Sequence, residues 1–472
     1  MLFKPKFEEK TNGNYAFGVE TKAIANACFD KPIFQEIWNG FCCHAGNISF
    51  TSVPQTVVKI GEATELETPQ NGYAMEITEN GISIVASDRK NLIYGFFTLL
   101  EKIRPISTEE GKEEFSVACC KVRDEAFVKT RMVHLCIFPE TTLEFLQKFL
   151  RTAAFLRYTH IIVEFWGMLQ FNCLKELAWK HAFTKEQIRP LFQEAMDMGL
   201  EIVPMLNHWG HAASCRVAYG KHVALDQNLR LAPLFDISGW NWNLKNPTVQ
   251  NLHAKIRDEL IELCGNGEYF HIGCDEPYGL FSYEYYEFVA EYINGVEKAL
   301  RSKGRKTIMW GDMLLHRTSF EPKTKNAYAF YSPSETVQKI LLEKISRSIL
   351  IGDWEYGAAQ YPVETCAYFK EQDFEVLCCP WDNYENILSS VKTVKKYDLK
   401  GLMHTTWQTV ASGFQSLALS ATNCWKEETA MPDQFYYDHY AYLANVMRKL
   451  YFPNGEYENC GWTKLQIIEK LH

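Results

Sequence analysis

The sequence has no Cys-x-x-Cys pair, no long apolar run and no cluster of basic residues. A zinc ribbon is built on spaced cysteine pairs, a membrane-spanning helix needs about 20 apolar residues, and a nucleic-acid-binding surface is usually basic. The N-terminal segment also lacks the apolar stretch of a signal peptide. These absences argue against a zinc ribbon, a membrane protein and a secreted protein.

Charge and cysteine content add to these exclusions. The net charge is −9, which disfavours nucleic acid and anionic membranes as partners. The 15 cysteines are odd in number and include the adjacent pairs Cys119–Cys120 and Cys378–Cys379. Adjacent cysteines do not suit a disulfide framework, so we expect reduced, buried thiols and a cytoplasmic location. Nothing in the sequence predicts the oligomeric state.

Two sequence patterns divide the chain. Residues 1–122 hold alternating strand-like runs, a hairpin turn at 79–81 and an amphipathic helix at 92–103, which predict a small α+β accessory domain. Residues 123–472 alternate eight short apolar strands with helices and end in further helices. The predicted fold class is therefore α/β, a (β/α)8 TIM barrel preceded by a small α+β domain.

In such a barrel the active site forms where the strands end. We expect the eight strands at residues 131–138, 160–165, 201–206, 269–273, 307–310, 349–354, 374–379 and 402–407. Strands five to eight each end in a tryptophan, namely Trp310, Trp354, Trp381 and Trp407. Indole faces suit the apolar faces of a sugar ring, so the strand ends predict a sugar-binding pocket.

The segment HIGCDEP, residues 271–277, places two acids side by side after the fourth strand. Like charges this close cannot both ionise freely, so we expect one of the pKa values of Asp275 and Glu276 to be raised. A carboxyl that keeps its proton near neutral pH can act as a general acid. The alternative is a pair of solvated acids in a surface loop.

These motifs resemble glycoside hydrolase family 20, the β-N-acetylhexosaminidases. HIGCDE is similar to the family's H-[IV]-G-[GM]-D-E signature, PMLNHWGHA resembles its strand-three segment, and Trp310-Gly311-Asp312 resembles its strand-five element. The end of the N-terminal region, GISIVASDRKNLIYGFFTLLEKI, resembles the end of the family's accessory domain. The resemblance therefore covers most of the chain.

The resemblance implies a retaining, exo-acting β-N-acetylhexosaminidase that removes terminal GlcNAc or GalNAc from oligosaccharides or glycoconjugates. Glu276 would be the general acid and base, and Asp275 would orient the substrate's 2-acetamido group. That group is the nucleophile and forms an oxazolinium intermediate, so the family departs from the usual two-carboxylate geometry. No metal or organic cofactor is implied.

The resemblance also implies a set of substrate-binding residues. Arg131 would grip ring hydroxyls, His211 would orient the carboxylates, and either Tyr356 or Tyr384 would donate to the acetamido oxygen. The remaining candidates are Trp310, Asp312, Trp354, Trp381 and Trp407. Each tryptophan, taken alone, could equally belong to the protein core, and Arg131 could form a structural ion pair.

Two positions depart from the family pattern. Gln408 stands where members often carry a glutamate that holds the outer sugar hydroxyls, which leaves the choice among glucosamine, galactosamine and 6-modified sugars open. The second strand lacks the common H-x-H-x-x-D pattern, and Glu164 is the candidate replacement.

Three other functions fit parts of the sequence. A metal-dependent hydrolase on the same barrel would use His208, His211 and Asp275 as ligands. A two-carboxylate glycosidase would need a second acid about 5 Å from Glu276, for which Glu355 or Asp312 could serve. A non-catalytic sugar-binding protein is the third alternative.

Overall fold

The computed structural model describes residues 2–18, 23–24, 29–41, 57–62, 66–107, 113–212, 228–279, 281–407, 413–426 and 432–451. The N-terminal part is an antiparallel sheet with the strands β1 Phe7–Gly18, β2 Ala23–Ile24, β3 Val57–Gly61, β4 Tyr73–Thr78, β5 Gly81–Ala86, β6 Arg104–Ser107 and β7 Glu113–Asp124. The strand order is β1-β7-β4-β5-β3-β2, and β6 pairs with β7.

Two helices accompany this sheet, α1 Pro32–Phe41 and α2 Arg89–Lys102. Helix α2 begins at an Asp88 cap whose side chain accepts the Asn91 N–H. It approaches the sheet closely at Gly95, where an added Cβ would lie 2.6 Å from Ile84 and 3.0 Å from Tyr73. The predicted hairpin and amphipathic helix are both present.

Eight parallel strands form a closed barrel, which confirms the predicted TIM-barrel fold. The strands are β8 Arg131–Ile137, β9 His160–Phe165, β10 Glu201–Met205, β11 Tyr269–His271, β12 Lys306–Trp310, β13 Leu350–Trp354, β14 Val376–Cys379 and β15 Gly401–Thr405. The helices are α3 Leu143–Phe155, α4 Lys185–Asp197, α5 Pro247–Cys264, α6 Tyr283–Ser302, α7 Glu335–Lys344, α8 Glu364–Glu371, α9 Tyr384–Lys396, α10 Phe414–Trp425 and α11 Pro432–Tyr451.

Each strand contributes one or more inward-facing residues to the barrel interior. These residues include Met132, Ile162, Val203, Tyr269, Ile308, Leu350, Leu377 and Met403. Side chains alternate along a strand, so His134 and Cys136 point inward with Met132, and Glu164 points inward with Ile162. The C-terminal half of the interior therefore carries polar groups on β8 and β9.

A buried polar junction joins the N-terminal sheet to the barrel. Asp124, at the end of β7, accepts hydrogen bonds from Tyr73 at 2.9 Å and from the Trp425 indole at 2.8 Å. The same carboxylate lies 3.5 Å from the Arg157 guanidinium. The predicted domain boundary at residue 122 thus falls just before the end of β7, and β8 begins at Arg131.

Among the described residues, no helix is long and apolar enough to cross a membrane. Ten cysteines in the described part of the chain are free, including both members of Cys119–Cys120 and of Cys378–Cys379.

Candidate active site

The loop that follows β11 holds Asp275 and Glu276 in a constrained backbone. Residues Gly273, Cys274 and Glu276 have φ values of 65°, 76° and 43°, and the left-handed conformation is unfavourable for the two that are not glycine. A Cβ at Gly273 would lie 2.5 Å from the Asn207 side chain, so only glycine fits there. Such strain is typical of a functional loop.

The side chain of Asn207, just after β10, holds this loop in place. Its Oδ1 accepts the Cys274 N–H at 3.0 Å, and its Nδ2 donates to Asp275 Oδ1 at 2.5 Å. The backbone at Gly210 also packs closely against this loop, since an added Cβ there would lie 2.2 Å from the Asp275 carbonyl oxygen. The third and fourth strand ends are therefore locked together around Asp275.

A cavity of about 370 Å³ opens at the C-terminal ends of the strands. Its walls combine the two acids, one histidine and seven aromatic residues: Trp166, His211, Trp240, Asp275, Glu276, Tyr278, Trp354, Tyr356, Trp381 and Trp407. The volume lies at the lower end of the range for small-molecule sites. Seven of the eleven residues predicted for the site thus line one cavity.

His211 lies between the two carboxylates. Its Nε2 is 3.0 Å from Glu276 Oε2 and 3.5 Å from Asp275 Oδ2. Its ring also packs on Trp240, with the ring centroids 4.4 Å apart. The histidine can therefore orient both acids and keep Glu276 in one position.

The sequence predicted a raised pKa for one member of the Asp275–Glu276 pair, but the pKa of Glu276 is shifted in the opposite direction. Burial raises the pKa of Glu276, but hydrogen bonds and charge from His211, with hydrogen bonds from Tyr278 and Tyr331, outweigh burial and lower it. The reason is that several donors converge on this carboxylate, which favours its ionised form. Sequence alone did not reveal those donors.

Asp312, which contacts the Asp275–Glu276 loop, does have a raised pKa. Burial, followed by repulsion from Asp275, raises the pKa of Asp312 well above its usual value. Asp312 Oδ2 accepts the Glu276 N–H at 3.0 Å, and its Oδ1 accepts the Trp354 indole N–H at 3.3 Å. Asp312 lies behind the pocket wall and supports two residues that face the cavity.

Four predicted aromatic residues form one side of the cavity. The Trp407 indole donates to the Tyr356 hydroxyl at 2.6 Å, and the Trp381 indole donates to the Thr406 carbonyl at 3.2 Å. Tyr356 stands between Trp354 and Trp381, with ring centroids 5.2 and 5.3 Å away. Hydrogen bonds at the ring edges leave the faces available to a sugar.

Two other residues predicted for the site, Trp310 and Tyr384, do not line the cavity. Trp310 is fully buried inside the barrel, with its ring 4.4 Å from that of His271 and 5.9 Å from that of Trp407. Tyr384 is the first residue of α9, and its hydroxyl donates to Gln415 at 3.4 Å. The structure therefore separates the two tyrosine candidates, because Tyr356 faces the pocket and Tyr384 does not.

Arg131 is the main correction to the predicted site. It begins β8 and so lies at the N-terminal end of the barrel, opposite the pocket. Its buried guanidinium donates to the carbonyl oxygens of Val128, Lys129 and Arg157 at 2.7, 3.0 and 2.8 Å. Arg131 holds the barrel base together and cannot contact a ligand in the cavity.

Several pocket residues were missed by sequence reasoning. Trp240 belongs to the long connection between β10 and α5, and its indole donates to the Glu276 carbonyl at 2.7 Å. Tyr278 stacks on Trp240 with ring centroids 5.5 Å apart. Trp166 directly follows β9, so the strand-end criterion could have found it, whereas Trp240 carries no such signal.

The structure also weighs against two alternative sites. His208 Nε2 lies 2.9 Å from Arg257 Nη1 and its Nδ1 lies 2.6 Å from the Leu206 carbonyl, so His208 cannot share a metal with His211 and Asp275. The second alternative is a two-carboxylate glycosidase with Glu355 as the nucleophile. Burial, followed by repulsion from Asp353, raises the pKa of Glu355 well above its usual value, which favours the neutral form of this carboxyl.

Gln408 lies outside the described residues, and its role stays a prediction.

Two curated proteins are similar to this chain over more than half of its length. A lacto-N-biosidase from Bifidobacterium bifidum is 20% identical over 318 residues, covering 63% of this chain and 25% of that protein. A β-hexosaminidase from Porphyromonas gingivalis is 21% identical over 305 residues, covering 54% of this chain and 38% of that protein. The chain thus spans less than half the length of these curated relatives.

A solved structure establishes the likeness of fold. The chitobiase from Flavobacterium johnsoniae superposes with a TM-score of 0.67 at 14% identity, over 99% of this chain and 76% of that one. The sequence model described as "Glycosyl hydrolase family 20, catalytic domain" matches residues 167–412, more than half of the 472 residues, and this range includes Asp275 and Glu276. The chain therefore belongs to glycosyl hydrolase family 20.

Proposed function

We propose that the protein is a retaining exo-β-N-acetylhexosaminidase that uses the substrate's own 2-acetamido group as the nucleophile. It would release terminal GlcNAc or GalNAc from small oligosaccharides or glycoconjugates, in the cytoplasm. The observation that carries the proposal is the composition of the cavity, in which Asp275 and Glu276 are the only acids among the described residues of the wall.

Apart from Asp275, which adjoins Glu276 in the chain, no carboxylate lines the described cavity wall to serve in an ordinary double displacement. That mechanism needs an ionised carboxylate about 5–5.5 Å from the acid, on the other side of the anomeric carbon. The nearby acids Asp312 and Glu355 are buried and do not line the cavity. Burial raises the pKa of each well above its usual value, which favours the neutral form, a poor nucleophile. This favours a nucleophile supplied by the substrate.

The proposed reaction assigns each step to a named atom. Glu276 gives its proton to the glycosidic oxygen as the C1–O bond breaks, and the acetamido oxygen bonds to C1 to form an oxazolinium ion. Asp275, held by Asn207 and His211, accepts the acetamido N–H and stabilises the positive charge. Water then attacks C1, Glu276 takes the water's proton, and the acetamido group is restored with overall retention.

Tyr356 is the group we place against the acetamido oxygen. Its oxygen accepts the Trp407 N–H at 2.6 Å and the hydroxyl also has a hydrogen bond with the Thr405 side chain; in the proposed complex its O–H turns to the substrate. Trp354 and Trp381 flank it and would enclose the methyl group of the acetamide. A neutral amide suits this wall, because none of the described residues lining the cavity is lysine or arginine.

Glu276 must carry a proton when the sugar is bound. In the structure its pKa is lowered, because the contacts with His211, Tyr278 and Tyr331 outweigh burial. A sugar ring placed over the carboxyl removes water from it, and desolvation raises the pKa of an acid. Substrate binding and proton uptake are therefore coupled in the proposed mechanism.

The cavity volume supports exo action on one sugar. About 370 Å³ accommodates a single N-acetylhexosamine unit at the lower limit of small-ligand sites, and the leaving group would extend past Glu276 toward solvent. The glucose and galactose configurations differ only at one hydroxyl, and the wall gives no reason to exclude either.

The decisive experiment measures hydrolysis of aryl β-N-acetylglucosaminide and β-N-acetylgalactosaminide beside the matching glucoside and galactoside. Wild type and Asp275→Asn are compared, and NMR records the anomer formed first. Cleavage of acetamido sugars alone, with retention and with collapse of activity in the variant, supports the proposal. Equal cleavage of the plain sugars, or inversion, would refute the acetamido nucleophile.

A further inference from the structure

We propose that His134, Cys136 and Glu164 bind one divalent transition-metal ion of the zinc class, inside the barrel and below the pocket. The three ligating atoms are His134 Nε2, Cys136 Sγ and Glu164 Oε2, and all lie within 4.8 Å of one another. They come from the C-terminal halves of β8 and β9, on the inward face. Glu164, the sequence candidate for the strand-two acid, does not line the cavity, and none of the three takes part in the proposed glycoside hydrolysis.

The spacing of the three atoms is that of ligands on one ion. The Nε2–Oε2, Sγ–Nε2 and Sγ–Oε2 distances are 3.1, 3.9 and 3.7 Å. Tetrahedral zinc with bonds of about 2.0–2.3 Å places neighbouring nitrogen, sulfur and oxygen ligands about 3.3–3.7 Å apart. Each observed distance is within about 0.4 Å of that geometry, so a small side-chain adjustment brings all three atoms within bonding distance of one ion.

Charge and burial are both consistent with a metal ion. The exposed fractions of His134, Cys136 and Glu164 are 0%, 0% and 2%. A cysteine that binds a metal does so as the thiolate, so one thiolate, one carboxylate and one neutral imidazole balance a divalent cation. A neutral cluster costs far less to bury than an isolated carboxylate. The mixed sulfur, nitrogen and oxygen set favours zinc over magnesium or calcium.

The cluster supports the floor of the pocket. The Trp166 indole donates to Glu164 Oε2 at 3.3 Å, and the His134 ring lies 4.7 Å from that of Trp407. Trp166 and Trp407 both line the cavity. An ion held by the three side chains would fix the positions of Trp166 and Trp407. This structural role is separate from the proposed catalytic roles of Asp275 and Glu276.

The test uses the full chain without an affinity tag. Metal content is measured by mass spectrometry after gel filtration, and the apo form made by chelation is titrated with Co²⁺. Thiolate ligation gives a charge-transfer band in the near ultraviolet, so wild type alone already tests the proposal. The expected result is one ion per chain together with that band.

Variants then locate the ion. Cys136→Ser and His134→Gln should weaken metal binding by more than 10-fold and remove the band. Cys379→Ser is the matched control, because Cys379 is also a buried thiol of the barrel interior and lies outside the cluster. It should bind metal like wild type.

Two results would overturn the proposal. One is a wild-type chain that retains no stoichiometric metal and gives no charge-transfer band, which would leave a plain hydrogen-bonded cluster. The other is unchanged binding in Cys136→Ser and His134→Gln, which would place the ion elsewhere. Loss of activity does not enter either criterion, so the outcome is independent of the proposed glycosidase function.

Discussion

His211 Nε2 lies 3.0 Å from Glu276 Oε2, and this contact helps to lower the pKa of the proposed general acid. Burial raises the pKa of Glu276, and the His211 contact is the largest of the opposing effects that together lower it. In the free enzyme, Glu276 therefore loses its proton at a lower pH than burial alone would allow. The alkaline limb of kcat/KM reports this ionisation.

The first prediction is that His211→Asn shifts that limb to higher pH. Asparagine tolerates the left-handed backbone at position 211, where φ is 53°. Loss of the contact removes the strongest lowering effect, so Glu276 keeps its proton to a higher pH. We expect kcat to fall about 10- to 100-fold, less than the 10²–10⁴-fold that a general acid itself contributes. A limb that stays fixed or moves to lower pH contradicts this assignment.

The second prediction concerns the amide that holds Asp275. Asn207→Ala removes the donor to Asp275 and the acceptor of the Cys274 N–H, so kcat should fall more than KM rises. The matched control is Asn294→Ala, since that amide also bridges two groups, Lys344 and Ser346. Both variants should lose roughly 1–3 kcal/mol of unfolding free energy. Equal activity losses in the two would show that Asn207 matters only for stability.

The third prediction separates the two tyrosines. Tyr356→Phe should lower kcat by about 10- to 100-fold, as for a charge-stabilising donor worth roughly 1.5–3 kcal/mol. Tyr384→Phe should leave kcat and KM unchanged, because its hydroxyl donates to Gln415 outside the cavity. Steady-state kinetics on the same aryl substrate decide between them. The opposite pattern would place the acetamido group near α9.

The fourth prediction assigns Arg131 to stability. Lysine cannot reproduce three simultaneous bonds to the Val128, Lys129 and Arg157 carbonyls. Arg131→Lys should therefore lower the unfolding free energy by roughly 2–4 kcal/mol, measured in urea, with KM unchanged. A higher KM at unchanged stability would return Arg131 to a substrate-binding role.

The architecture could be predicted from the sequence because its signals are local. Each barrel strand is a short apolar run and each helix has a 3.6-residue period, so eight repeats predict the barrel. Because the strands are parallel, the residues that follow each strand all lie at the same end of the barrel. Asp275, Glu276, Trp354, Trp381 and Trp407 all follow or end strands, and all line the cavity. By the same rule, Arg131 at the start of β8 belongs to the opposite end.

Only the tertiary structure decided which side chains meet. Trp310 and Trp354 end neighbouring strands, yet Trp310 fills the barrel and Trp354 lines the cavity. Trp240 reaches Glu276 from a long connection. The pKa of Glu276 depends on His211, Tyr278 and Tyr331, which lie on separate segments. Periodicity describes one element at a time, whereas these contacts exist only once the barrel closes and brings distant segments within hydrogen-bonding distance.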